Sequence, residues 1–256
     1  MDFSPFDLHC RAVLDAMPKR HSRQSLRSAL HHLERAAVLV DVDPAMAAFR
    51  ALTAEEEAAT GLMHCLKEKG YSNANLLKPK EHVQKNAISP FLDVLGMSFA
   101  QTIGIQFGAP RLVLDGEGDL RRLMLVLPVN LNGEETWAKP IPPLNFTVTI
   151  NGKTPLYRAE IERLVEAKGR KSIVEYLKMQ ANQRNLLLYA GPEGYPGEVT
   201  VPDGFYDARR GRVLALLRAY LLIQPYEDKM TFVQDSLDAF LAMVGALKHT
   251  DLPEFM

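Results

Sequence analysis

Three consecutive glutamates, Glu55 to Glu57, lie inside a long and largely apolar stretch, LTAEEEAATGLMHCLKEKG at 52–70. Upstream of it, the pair Asp43-Pro44 is typical of a helix start, because aspartate caps a first turn and proline fits within it. Gly70 suits the end of the same helix. The glutamates therefore either begin a second helix or lie within one long helix that buries part of its surface.

The two interpretations place the carboxylates differently. In the first, Thr53 caps a new helix and Glu56 closes a T-x-x-E capping box, where the helix dipole favours acids. In the second, one helix runs unbroken over 44–69. At about 100° per residue, it puts Glu55 at the centre of an apolar face, Glu56 at the edge, and Glu57 pointing away. That face consists of Ala48, Leu52, Ala59, Leu62 and Leu66.

A carboxylate at the centre of an apolar face must be protonated, paired or bound to a metal, because burying it alone is very costly. Two other predicted helices also carry a polar residue on their apolar side. Arg184 lies among the apolar residues of a helix predicted from Ser172, and Gln84 is central to the apolar side of one predicted from Pro79. We therefore predict that Glu55, Gln84 and Arg184 meet in one buried or cleft-lining network.

This network has a structural and a functional interpretation. As an internal salt bridge, it fixes the register of the helices. As a pocket, it uses Arg184 to hold an anion or a phosphate, while Glu55 orients the ligand or titrates. A third alternative is that the side chains reach solvent separately. The candidate binding residues are Glu55, Gln84, Lys85, Gln180 and Arg184.

The pattern along the whole chain predicts a mainly helical α+β protein. We expect a helical region over 1–107, an antiparallel β-meander over 108–154 and a C-terminal helical region over 155–256, together in one compact domain. The predicted strands are RLVLD, LRRLMLVLPVN and NFTVTIN, with a proline-bearing loop at 131–144 between the last two. Predicted helices cover about 23–41, 44–69, 79–106 with a kink or break at Pro90, 155–168, 172–190 and 203–223, and a last one begins at Pro225.

Composition narrows the possible functions. The formal net charge of -1 argues against wholesale attraction to nucleic acid or to an anionic membrane, although a local basic patch remains compatible with it. The only two cysteines, Cys10 and Cys65, form no CxxC pair, so a structural zinc is not expected. No cofactor is expected either, because the sequence contains no strong cofactor motif. The apolar run at 123–129 is too short to span a bilayer, and MDFSPFDLH does not read as a secretory signal. We therefore expect a cytoplasmic protein.

Other candidate groups have weaker patterns. His32 is well separated around the helix from both His31 and Glu34, which favours a solvated helix face over a metal site. His82, close to Lys85, could touch a phosphate but is expected to be a surface residue. The basic run DARRGR at 207–212 could attract phosphate near a helix N-terminus, but a solvated charge run is the favoured interpretation.

The pattern SALHHLERAAVLVDVDPAMAAFRALTAEEEAATGLMHCLKEKGY, followed by KEHVQKN, resembles the HEPN-type helical bundle proteins, and their AbiV-like branch in particular. The resemblance covers about 25–95. It implies a helical bundle, often dimeric, in which an Arg-x4–6-His motif cleaves RNA. Arg27 and His32 have this spacing but point to different sides of the helix. Arg184-Asn185 begins like the motif, but Tyr189 stands where its histidine would be, so no catalytic residue is carried over.

These observations lead to three functional hypotheses. The preferred one is a binding protein of HEPN-like kind that recognises RNA or a partner protein. The first alternative is an enzyme or binding protein for a small phosphorylated or anionic ligand held in the Glu55/Arg184 pocket. The second alternative is a structural protein that acts as a homodimer.

Overall fold

The computed structural model describes residues 3–107, 110–117, 121–149, 152–167, 169, 173–189 and 200–250. Within these ranges the chain forms eight α-helices, one 3-10 turn and three strands. The helices are α1 (Pro5–Ala16), α2 (His21–Leu39), α3 (Pro44–Glu68), α4 (His82–Phe107), α5 (Arg158–Ala167), α6 (Ile173–Leu186), α7 (Phe205–Ile223) and α8 (Thr231–Thr250), and the 3-10 turn is Ala74–Leu76. The strands are β1 (Arg111–Asp115), β2 (Arg122–Leu131) and β3 (Glu134–Ala138). The predicted fold class, α+β and mainly α, is confirmed.

The long third helix is unbroken, so the second interpretation of the glutamates is correct. The Asp43 carboxylate caps α3 by accepting a hydrogen bond from the Met46 N–H at 3.0 Å. Thr53 is not a cap, because its hydroxyl donates to the Phe49 carbonyl within the helix at 2.9 Å. Glu55 and Glu56 are buried, while Glu57 is partly exposed, in the order that the helical phase predicts.

Helices α2 and α3 pack very closely at Gly61. A Cβ atom added there would lie 2.8 Å from the Leu26 side chain and 2.9 Å from the Ser22 carbonyl oxygen. Real Cβ atoms do not approach other atoms so closely, so a residue without a side chain is required at this contact. Gly61 thus fixes the distance between the two helices.

Helix α1 was not predicted, although a capping box marks its start. The Ser4 side chain accepts a hydrogen bond from the Asp7 N–H, and the Asp7 carboxylate accepts one from the Ser4 N–H. Pro5 then occupies the first turn, where its missing N–H costs nothing. The sequence SPFD therefore contains a helix-start signal of the usual kind.

The sheet is an antiparallel meander in the order β1-β2-β3, but its third strand differs from the prediction. Strand β3 lies in the stretch that we predicted as a loop, because Asn132 and Gly133 form a two-residue hairpin turn. Both residues have positive φ, 55° and 91°, which favours Asn-Gly in such turns. This turn pairs Leu131 with Glu134 and returns the chain along β2 at once.

The predicted strand NFTVTIN is not a strand over its described part, 145–149. It packs on the start of α8 instead. The Phe146 ring stacks on Phe232 with centroids 4.8 Å apart, and the Asn145 amide oxygen accepts a hydrogen bond from the Thr231 hydroxyl at 3.2 Å. Residues 150 and 151 lie outside the described ranges. Helix α8 accordingly begins at Thr231, not at Pro225 as predicted.

The main hydrophobic core combines all eight helices with the central strand. Its members include Cys10, Leu26, Leu62, Phe91, Leu123, Ile161, Leu177, Tyr220 and Phe240. Helix α4 continues through Pro90 without ending. A smaller apolar cluster joins the first half of α3 to Leu187 and to the start of α7. Among the described helices, none combines the length and the apolarity required to cross a membrane.

Candidate functional site

Glu55 is buried and is paired with two arginines from α7. Only 3% of the residue is exposed. One carboxylate oxygen lies 2.5 Å from an Nη atom of Arg209, and the other lies 3.5 Å from an Nη atom of Arg212. Two guanidinium groups therefore share one carboxylate, which supplies the neutralisation that a buried charge requires.

Arg209 also uses its second Nη atom. This atom donates to the side-chain oxygens of Gln180 and Gln183 on α6, at 2.9 and 3.0 Å. The guanidinium group lies over the Phe205 ring, 5.1 Å from its centroid. Arg209 is only 6% exposed, and its contacts join α3, α6 and α7. These contacts are typical of an internal structural pair and leave little of the group for a ligand.

Arg212 contributes a further positive charge beside Glu55. Its second Nη atom lies 3.9 Å from the Asp93 carboxylate on α4. Burial acts to lower the pKa of Arg212, but the charge of Glu55 and interactions with Tyr176 and Asp93 outweigh it, so the pKa is raised. Arg212 is therefore a permanent cation that connects α7 to α3 and α4.

Glu56, the next residue of α3, faces a different set of basic side chains. Its carboxylate lies 3.0 and 3.1 Å from the Nδ1 atom of His82, 3.0 Å from the Lys85 ammonium and 3.6 Å from an Nη atom of Arg184. Burial acts to raise the pKa of Glu56, but the hydrogen bonds and charges of His82 and Lys85 outweigh it and lower the pKa. Glu56 thus stays ionised although it is only 5% exposed.

Arg184 is the loosest partner of Glu56. About a third of its side chain is exposed, 33%, and its guanidinium lies 5.1 Å from the centroid of the Phe49 ring. Its Nε atom is buried and has no hydrogen-bond partner among the described residues. Among the described residues this donor is left unsatisfied, and the side chain of Arg184 lines an adjoining space.

That space is a cleft of about 520 Å³ between the start of α4 and the last turns of α6. We call it the cationic cleft. It is lined by His82, Val83, Lys178, Asn182, Arg184, Asn185, Leu188 and Tyr189. Cationic side chains, amides and the positive end of the α4 dipole face one volume, and such a set suits an anion. Tyr189 is 66% exposed at its rim.

The predicted network of Glu55, Gln84 and Arg184 does not form. Arg184 contacts Glu56, while Glu55 contacts Arg209 and Arg212. The reason is the rotation of about 100° between successive helical residues, which turns neighbouring glutamates toward different helices. Gln84 is buried as predicted, but its side-chain oxygen accepts a hydrogen bond from the Lys78 N–H at 2.8 Å and so closes the loop before α4.

The two remaining candidates belong to different clusters. Gln180 contacts Arg209 in the Glu55 cluster, and Lys85 contacts Glu56. His82, expected on the surface, is half exposed and also bonded to Glu56. The structure thus divides one predicted site into two neighbouring clusters.

The interpretation of DARRGR at 207–212 as a solvated charge run is wrong for Arg209 and Arg212. The signal that identifies Arg209 is its spacing from Val213, Leu216 and Tyr220, all buried on one side of α7. Counting this spacing places Arg209 on the apolar seam of its helix.

His21, His32 and His64 make pairwise contacts. The rings of His21 and His64 stack with centroids 3.8 Å apart, and His32 lies 3.3 Å from an Nη atom of Arg50. Within the part of the chain that the structure describes, no group of three or more His, Cys, Asp or Glu side chains is placed to hold a metal ion.

Comparison with known proteins adds no relative to this picture. No protein-family model, no curated protein and no solved structure matches this chain.

Proposed function

We propose that this chain is a cytoplasmic binding protein that recognises a phosphate-bearing ligand, RNA in the first place, in the cationic cleft. The observation that carries the proposal is the set of contacts that Arg184 makes. It lines the cleft, touches Glu56 only at 3.6 Å, and keeps a buried Nε donor without a partner among the described residues. Phosphate oxygens are the groups that a guanidinium beside a cleft binds best, because they accept charge-assisted hydrogen bonds.

The charges around the cleft support the same ligand class. Glu56 supplies one negative charge to the Lys85 ammonium and the Arg184 guanidinium, and its carboxylate also bonds to His82. Lys178 adds a further positive charge to the lining. Lys85 and Arg184 thus share the single negative charge of Glu56, and an anion that enters the cleft beside Arg184 adds a second one.

The exposed Tyr189 favours a nucleotide over a bare phosphate. An aromatic ring beside cationic side chains provides a surface on which a base can stack while the phosphate is held. The resemblance of 25–95 to HEPN-type proteins, and the Arg184-Asn185 pair at the cleft, agree with RNA as the ligand. The proposal concerns binding and assigns no catalytic residue.

The Glu55 cluster is not part of the proposed site. The Nη atoms of Arg209 contact Glu55, Gln180 and Gln183, and the group is almost fully buried. In the earlier hypothesis of a Glu55/Arg184 pocket, Glu56 therefore takes the place of Glu55.

The test is RNA binding by the full chain, measured by fluorescence anisotropy with a short single-stranded oligonucleotide. We expect Arg184→Gln to weaken binding about tenfold, because it removes one charge-assisted contact to phosphate. The matched control is Arg163→Gln on α5, which removes the same charge from an exposed side chain outside the cleft. Equal affinities for the two variants would contradict the proposal.

Two further measurements distinguish RNA from a small phosphorylated ligand and test the homodimer hypothesis. A salt titration should show a steep loss of RNA affinity, with a smaller slope for Arg184→Gln. If adenosine monophosphate binds as tightly as RNA and shows the same Arg184 effect, the ligand is a small phosphorylated molecule. If neither binds and sedimentation shows a stable dimer, the homodimer hypothesis replaces this proposal.

A further inference from the structure

A second cavity lies in the core, and unlike the cationic cleft it is lined almost entirely by apolar side chains. It has a volume of about 110 Å³ and is bounded by α3, α4, α7, α8 and the loop at Leu144. Leu62, Met63, Leu66, Leu77, Ile88, Phe91, Leu92, Leu95, Ala219, Ile223, Phe232, Val233, Ser236, Leu237 and Phe240 complete its lining. We call it the core cavity. It shares no lining residue with the cationic cleft.

The lining of the core cavity is apolar except for one side chain. Aliphatic and aromatic groups offer no hydrogen bonds, and a water molecule needs several, so such a cavity favours apolar occupants. Cavities of roughly 150 Å³ lined by Leu, Ile and Phe bind benzene-sized molecules. The core cavity is of this order and recovers dispersion contacts when an apolar group fills it.

Ser236 is the exception. Its hydroxyl oxygen is buried and has no hydrogen-bond partner among the described residues. A buried hydroxyl without a partner is unfavourable, because it has lost its contacts with water and gained nothing in exchange. A single polar atom at the wall of an apolar cavity thus specifies where a ligand's own polar group would bind.

The cavity is also placed so that a ligand can enter it. Leu92, Leu144, Phe232 and Ser236 are only partly buried, whereas the opposite wall contains fully buried side chains such as Met63. The partly buried residues form a rim at the protein surface. Ser236 belongs to this set, so the polar end of a ligand would lie on this side of the cavity and its apolar end against the fully buried side chains.

We propose that the core cavity binds a small aryl or short alkyl molecule that carries one hydrogen-bonding group, and that Ser236 binds that group. The proposal is independent of ligand binding in the cationic cleft. The volume of the core cavity limits the size of the ligand's apolar part. The Ser236 hydroxyl requires that the ligand also carry one polar atom.

The experiment compares benzyl alcohol with toluene, which have the same carbon skeleton and differ in one hydroxyl group, by calorimetric titration of the full chain. We expect both to bind and benzyl alcohol to bind about three- to tenfold more tightly, the range of one net hydrogen bond. Ser236→Ala should remove this difference and leave toluene affinity unchanged. Equal affinities for the unaltered protein would overturn the assignment of Ser236.

A variant that fills the cavity tests the site itself. Ala219→Leu, at the cavity wall, should reduce the affinity of both probes at least tenfold. Its matched control is Ala215→Leu, one turn away on the exposed side of α7, which should bind like the unaltered protein. If Ala219→Leu does not fold, Leu144→Phe fills the cavity from the loop. Unchanged affinity in the filled variant, or no binding to the unaltered protein, would overturn the proposal.

Discussion

Glu55 and Glu56 are neighbours in sequence and equally buried, at 3% and 5% exposure, yet they have different surroundings. The side chain of Arg209, the nearest partner of Glu55, is 8% exposed. The side chains of His82 and Arg184, two partners of Glu56, are 49% and 33% exposed. The burial of a carboxylate therefore does not reveal its role. The exposure of its partners does, because a ligand can reach only the exposed ones.

The difference follows from helical geometry. Each step of one residue along α3 rotates the side chain by about 100°. Glu55 therefore faces α7, while Glu56 faces the start of α4 at His82. The first carboxylate joins helices inside the protein. The second holds cations at the wall of a cleft. Variants of α3 can separate these two roles.

The largest effect is expected from Glu55→Gln. This variant leaves Arg209 buried without its counter-charge and removes one of the two carboxylates beside Arg212, so we expect the free energy of unfolding to fall by about 3 to 5 kcal/mol. Urea unfolding followed by circular dichroism measures it. The control is Glu57→Gln, partly exposed two residues along the same helix, which should change stability by less than about 0.5 kcal/mol. Equally small losses in the two variants would show that the Glu55 pair is not important for stability.

A smaller effect is expected from Glu56→Gln. His82 and Arg184 can turn toward water when the carboxylate is lost, and the amide oxygen of glutamine can still accept a hydrogen bond from Lys85. We expect a loss of about 2 kcal/mol in the same unfolding measurement. A loss as large as that of Glu55→Gln would remove the distinction between the two clusters.

The smallest effect is a pH dependence specific to Glu56. Its pKa is lowered from 4.5 in the folded chain, so its ion pairs stabilise the fold above that pH, and this contribution is lost as the pH falls through the folded-state pKa. The difference in unfolding free energy between the unaltered protein and Glu56→Gln should therefore narrow on acidification below pH 4.5. A difference that stays constant with pH would refute the assignment.

Helices with a clear apolar period were predictable from sequence, and α2, α3, α4 and α7 begin and end close to the predicted positions. The errors came from competing local signals. NFTVTIN has the composition of a strand, but Asn132-Gly133 commits the chain to a hairpin first, so β3 forms earlier. Residues 145–149 then contact the start of α8, a long-range contact that local pattern does not reveal.

For the candidate site, the helical phase of α3 predicted that Glu55 is buried but not which cation it meets. Phase fixes the direction of a side chain about its own helix, whereas pairing depends on how helices are placed against each other. Arg184 and Arg209 both lie on buried sides of their helices, and only the tertiary arrangement assigns one to Glu56 and the other to Glu55. The cationic cleft depends on this arrangement and so could not be predicted.

The tight fit at Gly61 means that the pairing of α2 with α3 cannot be adjusted in small steps. A single methyl group would force a backbone carbonyl or a leucine side chain to retreat. Gly61 lies five residues beyond Glu56, roughly 7.5 Å along the helix axis. A shift of α3 at Gly61 would therefore also move both carboxylates, because they lie on the same helix. The smallest residue in the helix thus sets how closely α3, which carries both carboxylates, approaches α2.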